Sequence, residues 1–146
     1  MIDIEGHLIH IDFGFLLSIA PGKGVEMEKA VPFKLTQDMI DVLGGPDHKK
    51  FDDFRRRMAK GFVAIQADAE KVILLVEMMF NGQSDLPCFA GGRTLIRDLK
   101  DRIFPDGKRF SQVEAQQHVD GLIEQSMNNW RTRCYDKFQY CVQGIL

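Results

Sequence analysis

The sequence predicts a mostly helical α+β domain, with one N-terminal β-hairpin followed by roughly six helices. Three observations carry that prediction. Two short β-prone runs, Met1-Ile2 and Leu8-Ile9-His10-Ile11, flank the turn-rich linker Asp3-Ile4-Glu5-Gly6. A stretch from Gly14 to about Pro32 then loses all periodicity, broken by Pro21-Gly22-Lys23-Gly24. Beyond it, apolar residues recur at three- and four-residue steps, and capping residues or Gly and Pro stops separate the runs.

Each helix has its own local warrant. Thr36-Gln37-Asp38 can cap a short helix from Met39 to Leu43, and Gly44-Gly45-Pro46 stops it. From about Asp47, the spacing Phe51, Phe54, Met58, Phe62, Ile65 marks an amphipathic helix. Asp68 stands where a cap would open a second long helix, ended by Asn81-Gly82. Val72, Ile73, Leu75, Val76, Met79 and Phe80 make that helix apolar over a wide arc, so it is expected at the centre of the fold. Leu86-Pro87-Cys88-Phe89 connects it to a helix from Thr94 to about Ile103, and Pro105-Asp106-Gly107 forms a turn. Ser111 and Glu114 form a capping box opening a helix to about Ser126, and a last helix runs from about Trp130 to Val142.

The chain has 146 residues, 45% of them hydrophobic, which fits one globular domain or a large piece of one. A net charge of −2 argues against nucleic acid as a partner of the whole chain. Three cysteines without metal-ligand spacing read as reduced, buried thiols, and the seven methionines, Met78-Met79 among them, as core filler. No apolar run approaches the roughly 18 residues of a membrane span, and the N-terminus lacks signal-peptide order. The expected setting is therefore cytoplasmic. A strand pattern opening at Met1-Ile2 needs a neighbour to pair with, which reads as a start inside a larger domain.

Chemistry concentrates near the start, in Ile9-His10-Ile11-Asp12-Phe13-Gly14. A carboxylate at a strand end, with glycine two residues on and a broken polar loop after it, can point into a cleft and bind Mg²⁺ through oxygen. A phosphoryl-transfer site needs such a ligand. An aspartate that merely caps a strand end explains the same string, and on the residues alone both readings stand. His10 shares a strand face with Asp12 and either supports such a site or is a hydrogen-bonded structural histidine. His7 is expected near the hairpin turn in solvent, and His48 and His118 on exposed helix positions without a role.

The run from Glu5 to Phe15 resembles the metal-binding hairpin of the phosphatidylinositol 3-/4-kinase superfamily. Pro32-Phe33-Lys34-Leu35-Thr36, with Asp41-Val42-Leu43-Gly44-Gly45 soon after, is similar to the close of its activation loop and the helix that follows. Leu86-Pro87-Cys88-Phe89, Tyr135-Asp136-Lys137-Phe138-Gln139-Tyr140 and the terminal Gly144-Ile145-Leu146 resemble type III phosphatidylinositol 4-kinases of the beta type. The resemblance runs from residue 1 to residue 146, with its motifs in family order and spacing.

That resemblance implies a protein-kinase-like C-lobe, with a metal-binding hairpin over 1–14, an activation loop over 15–35 and a helical part over 36–146. It implies ATP and Mg²⁺ as cofactors, with Mn²⁺ as a substitute. Asp12 would hold the metal against the ATP phosphates, Ile9 and Ile11 would line the nucleotide pocket, and His10, Phe13 and Gly14 would support them. The activation loop would face the lipid headgroup, and from Phe15 to Val31 its only cations, Lys23 and Lys29, are offset by Glu26 and Glu28. A net-neutral loop suits unphosphorylated phosphatidylinositol, because phosphorylated headgroups call for clustered cations. The family's catalytic loop would lie just before Met1, so no catalytic residue is assigned here and the chain alone is expected to be inactive. The expected location is the cytosolic face of membranes, the Golgi by resemblance, and the family binds its regulatory partners mostly outside this region. A phosphatidylinositol 3-kinase, a related protein-serine kinase, and a non-catalytic helical module that binds membrane or protein partners are the competing readings.

Two further stretches admit two readings each. Lys49, Lys50, Arg55, Arg56, Arg57 and Lys60, diluted by Asp52 and Asp53, form either a solvated helix face or a contact for phosphate or anionic lipid. Trp130, Arg131 and Tyr135 open a C-terminal stretch of aromatic and basic residues, which is either a membrane-interface helix or a core-packed terminal helix.

Overall fold

The computed structural model describes residues 3–7, 9, 16, 17, 19, 31–127 and 129–144, with the side chains of 135, 139 and 143 excepted. The architecture is helical: α1 (Gln37–Val42), α2 (Lys49–Ala67), α3 (Ala69–Gly82), α4 (Thr94–Ile103), α5 (Gln112–Ser126) and α6 (Trp130–Gln143). Single 3₁₀ turns at Pro87–Phe89 and Pro105–Gly107 join α3 to α4 and α4 to α5. Of the expected hairpin, the turn is described, while most of its strand residues lie outside the described residues. Among the described residues, the one β-bridge is parallel, between Leu35 and Met127.

Local chemistry sets the helix ends. Thr36 Oγ1 accepts from the Met39 N–H and caps α1. The Ser111 hydroxyl accepts from the Glu114 N–H, and the Glu114 carboxylate accepts from the Ser111 N–H, completing the expected capping box of α5. The α1–α2 turn passes through Gly44 at φ +87°, where a β-carbon would lie 2.7 Å from His48 Cγ. That close approach leaves room only for glycine. His48 then caps α2 through its ring nitrogen, which accepts from the Lys50 N–H at 3.2 Å.

The core divides into two clusters. In the first, Phe51 and Ala59 of α2 pack with Val119 and Ile123 of α5, Ile40 of α1 and Leu35. The second joins Ala69 and Ile73 of α3 to Phe89 and to Leu95, Ile96 and Ile103 of α4. Gln66, near the end of α2, is fully buried where the chain passes from one to the other. Its amide donates to the Ile103 carbonyl at 2.7 Å and accepts from the Phe110 N–H at 2.7 Å, so one side chain satisfies backbone groups on both flanks of the 105–107 turn.

Several expectations are corrected. Helix α3 is not central: Leu74, Leu75, Met78 and Met79 face solvent, Met78 at 63% exposure. It buries only Ala69 and Ile73, since α4 covers one side of it and no described element covers the other. The helix that takes the centre is α2. Met78 and Met79 are therefore not core filler. Cys134 and Cys141 are exposed and Cys88 is half-buried, so the cysteines are not buried as a group. His118 does not sit free in solvent either, because its ring stacks 5.1 Å from Phe62 and 5.3 Å from Phe110. Ile65, placed on the apolar face of α2 by spacing, is nearly half exposed.

Candidate functional site

The chain enters the candidate site through a tightly bonded turn. Asp3 Oδ1 accepts from the N–H groups of Glu5 at 2.9 Å and His7 at 2.8 Å, and Asp3 Oδ2 meets His7 Nδ1 at 2.9 Å. Gly6 turns the backbone at φ +86°, and the Asp3 N–H donates back to the His7 carbonyl at 3.0 Å. An Asx-type turn of this kind pairs residues 3 and 7. The His7 N–H holds the Asp3 carboxyl below its ordinary range, helped by the His7 ring.

Of the residues expected at the nucleotide and metal, Ile9 alone is described, at 46% exposure. His10, Ile11, Asp12, Phe13 and Gly14, and Lys23 and Lys29 of the expected headgroup loop, lie outside the described residues. Among the described residues, no three His, Cys, Asp or Glu side chains converge to hold a metal ion.

Between residues 33 and 35 the chain is anchored at three successive positions. The Phe33 N–H donates to the fully buried Ser126 Oγ at 3.4 Å, Lys34 Nζ pairs with the Asp136 carboxylate, and Leu35 bridges to Met127. Residues 33–35 are thus docked on the α5–α6 junction, across about a hundred residues of sequence. A cleft of about 450 Å³ opens beside this dock, lined by Thr36, Asp38, Asn129, Thr132, Arg133 and Asp136 among others. Sequence reading missed this junction. The two segments, Pro32–Thr36 and Tyr135–Tyr140, each carry part of the family resemblance, but nothing in either stretch announces that Lys34 meets Asp136.

The C-terminal helix presents its aromatics outward. Trp130 is 63% exposed with the Arg131 guanidinium 5.2 Å from its ring centre, and Phe138, Tyr140 and Val142 also face solvent. The Tyr135 side chain lies outside the described residues. What α6 buries is chiefly Thr132, so the described side chains do not form the core-packed terminal helix of the competing reading. No helix among the described residues is long and apolar enough to cross a membrane.

The described parts are a pinned turn at residues 3–7, residues 33–35 clamped to the α5–α6 junction, and a terminal helix joined to that clamp with its aromatics exposed. The family model described as "Phosphatidylinositol 3- and 4-kinase" matches residues 1–88, and the chain belongs to that family. Within it, the chain is 41% identical over 145 residues to "Phosphatidylinositol 4-kinase" of Dictyostelium discoideum, covering 99% of this chain and 12% of that protein. It is 41% identical over 146 residues to "Phosphatidylinositol 4-kinase beta" of Danio rerio and 40% identical to that of Bos taurus, covering all of this chain and 17% of each relative. The chain therefore spans less than one fifth of the length of these curated relatives.

Proposed function

We propose that this chain is the C-lobe portion of a catalytic domain that transfers the ATP γ-phosphate to the 4-hydroxyl of phosphatidylinositol, making phosphatidylinositol 4-phosphate. The observation that carries the reading is identity of 40–41% along the whole chain to proteins named phosphatidylinositol 4-kinase or its beta form. Residues 1–14 are the metal-binding hairpin, 15–35 the activation loop and 36–146 the helical part. Mg²⁺, when bound, supplies positive charge that offsets the phosphate oxygens during transfer. Asp12 is its ligand in this chain, with Ile9 and Ile11 against the nucleotide. Lys23 and Lys29 lie on the loop that meets the headgroup.

The chain's described residues contribute positioning. The Lys34–Asp136 pair and the Leu35–Met127 bridge hold the loop exit to the root of α6. Trp130, Arg131 and Tyr135 on α6 rest at the membrane interface, so the headgroup loop and the membrane helix are placed by one junction. The membrane is a cytosolic face, the Golgi in the first instance. The 146 residues alone are inactive, because catalysis draws on residues that the family carries outside this stretch.

The test is Asp12→Asn in the intact protein, assayed with ATP, Mg²⁺ and phosphatidylinositol vesicles. Turnover falls by about a thousandfold or more with the fold unchanged by circular dichroism. Retained turnover removes Asp12 from the metal site. A 3-phosphate product from the unsubstituted protein overturns the assignment to the 4-hydroxyl.

A further inference from the structure

One charged surface is left unused by the site above, the outer face of α2. At 3.6 residues per turn, Lys49, Lys50, Arg56, Arg57 and Lys60 fall within one arc of about 120°. From Lys49 to Lys60 the row extends roughly 17 Å. Arg55, which the sequence places in the same basic run, leaves it. Its guanidinium turns inward to Asp120 of α5 at 3.1 Å and lies 5.1 Å from the Phe51 ring centre.

The acid content of this face is small. Asp53 lies within the arc, accepting from Arg57 Nε at 2.6 Å and meeting Arg56 at 3.5 Å, and Asp52 sits at its edge. Lys49, Lys50 and Lys60 are exposed, and among the described residues none of the three forms a direct ion pair, although Lys60 lies close enough to Asp53 to help hold its carboxyl below the ordinary range. Along the row lies a depression of about 820 Å³, lined by Lys49, Lys50, Arg56 and Arg57, by the acid Asp53, and by the apolar Leu43 and Phe54. Beside Leu43, at the end of α1, Val42 is 78% exposed.

We propose that this face of α2 is a docking surface for anionic phospholipid headgroups, distinct from the aromatic face of α6. A single soluble phosphate is held by donors that converge on one point, whereas these cations are strung along a helix and match a plane of several headgroups. The exposed edges of Leu43 and Phe54, whose other sides pack on the first core cluster, suit the boundary between headgroup and acyl chain. The chain as a whole is net acidic, at −2, so the positive charge is concentrated on this face and does not mark the protein generally. The proposal stands apart from the kinase reading, since it concerns binding and involves neither ATP nor phosphatidylinositol.

The experiment is co-sedimentation of the intact protein with vesicles of phosphatidylcholine alone and of phosphatidylcholine with roughly one-quarter phosphatidylserine, without nucleotide. The unsubstituted protein prefers the anionic vesicles, and salt weakens the preference. Replacing Lys49, Lys50 and Lys60 together by glutamine lowers affinity for them by roughly 100-fold, and Lys60→Gln alone by roughly fivefold. Asp53→Asn, which removes the acid from the face, strengthens binding. Melting curves confirm that the variants remain folded, and the single substitution carries the test if the triple one does not. Equal binding to both vesicle types, or unchanged binding by the lysine variants, overturns the proposal. So does loss of vesicle binding in millimolar inorganic phosphate at constant ionic strength, which assigns the face to a soluble anion, or equally tight binding of an oligonucleotide through the same lysines.

Discussion

Helices α2 and α3 follow one another with only Asp68 between them, yet they meet solvent in opposite ways. The more apolar of the two is α3, and it exposes Leu74, Leu75, Met78 and Met79. The more charged is α2, and it buries Phe51, Ala59 and Gln66 completely or nearly so. Partnership explains the reversal. Helix α5 lies along α2 and is opened by a complete capping box, while α3 packs mainly on α4 and begins at Asp68, whose side chain makes no capping bond. Apolar content supplies a tendency to be covered, and burial follows only where another element arrives.

The sharpest way to break the comparison is to truncate one large side chain in each helix. Phe51→Ala empties a fully buried ring site and should cost about 3–5 kcal/mol of unfolding free energy in urea titration. Leu75→Ala, at a position 59% exposed, should cost no more than about 0.5 kcal/mol. Equal losses would mean that both helices are covered alike in solution.

Next in size is the joint between the two halves. Gln66→Leu keeps the volume but strands the Phe110 N–H and the Ile103 carbonyl. The expected loss is about 1–3 kcal/mol, with a shallower urea slope if the halves then unfold separately. An unchanged midpoint would show that Gln66 does not couple them.

The caps give a smaller contrast. Ser111→Ala should cost about 1 kcal/mol. Asp68→Ala loses only an exposed pair with Lys71 and should be close to neutral. The Ser111 N–H, followed by Lys108, depresses the Glu114 carboxyl from 4.5 to about 2. A depressed carboxyl stabilises the fold above its unfolded value, so this contribution is complete above about pH 4.5 and disappears as pH falls toward 2. Glu114→Gln should flatten the acid limb of the stability profile over that window, and an unaltered limb would sever the link to the cap.

Legibility in the sequence divides along the same physical line. The caps Thr36 and Ser111, the stops at Gly44-Gly45 and Asn81-Gly82, and the turn at Pro105-Gly107 all act over one helical turn. The helix boundaries they imply agree with the observed ones to within about two residues. Asp12 is proposed from a short string in family order, and its geometry lies outside the described residues. The clamp on the loop exit was not legible, since Lys34 and Asp136 are separated by 102 positions and each is an ordinary surface charge until the fold joins them. His118 was misjudged for a related reason. The rings that hold it come from Phe62 on α2 and Phe110 before α5, and no spacing within α5 announces them.

By itself, then, the sequence determined where helices start and stop and to which family the chain belongs, because capping bonds, turn conformations and motif order are properties of neighbouring residues. Only the tertiary structure decided that α2 and not α3 takes the centre, that Arg55 leaves its basic run for Asp120, and that Lys34 anchors the loop to α6. Each of those outcomes depends on which surfaces meet, and a meeting between distant segments has no local signature.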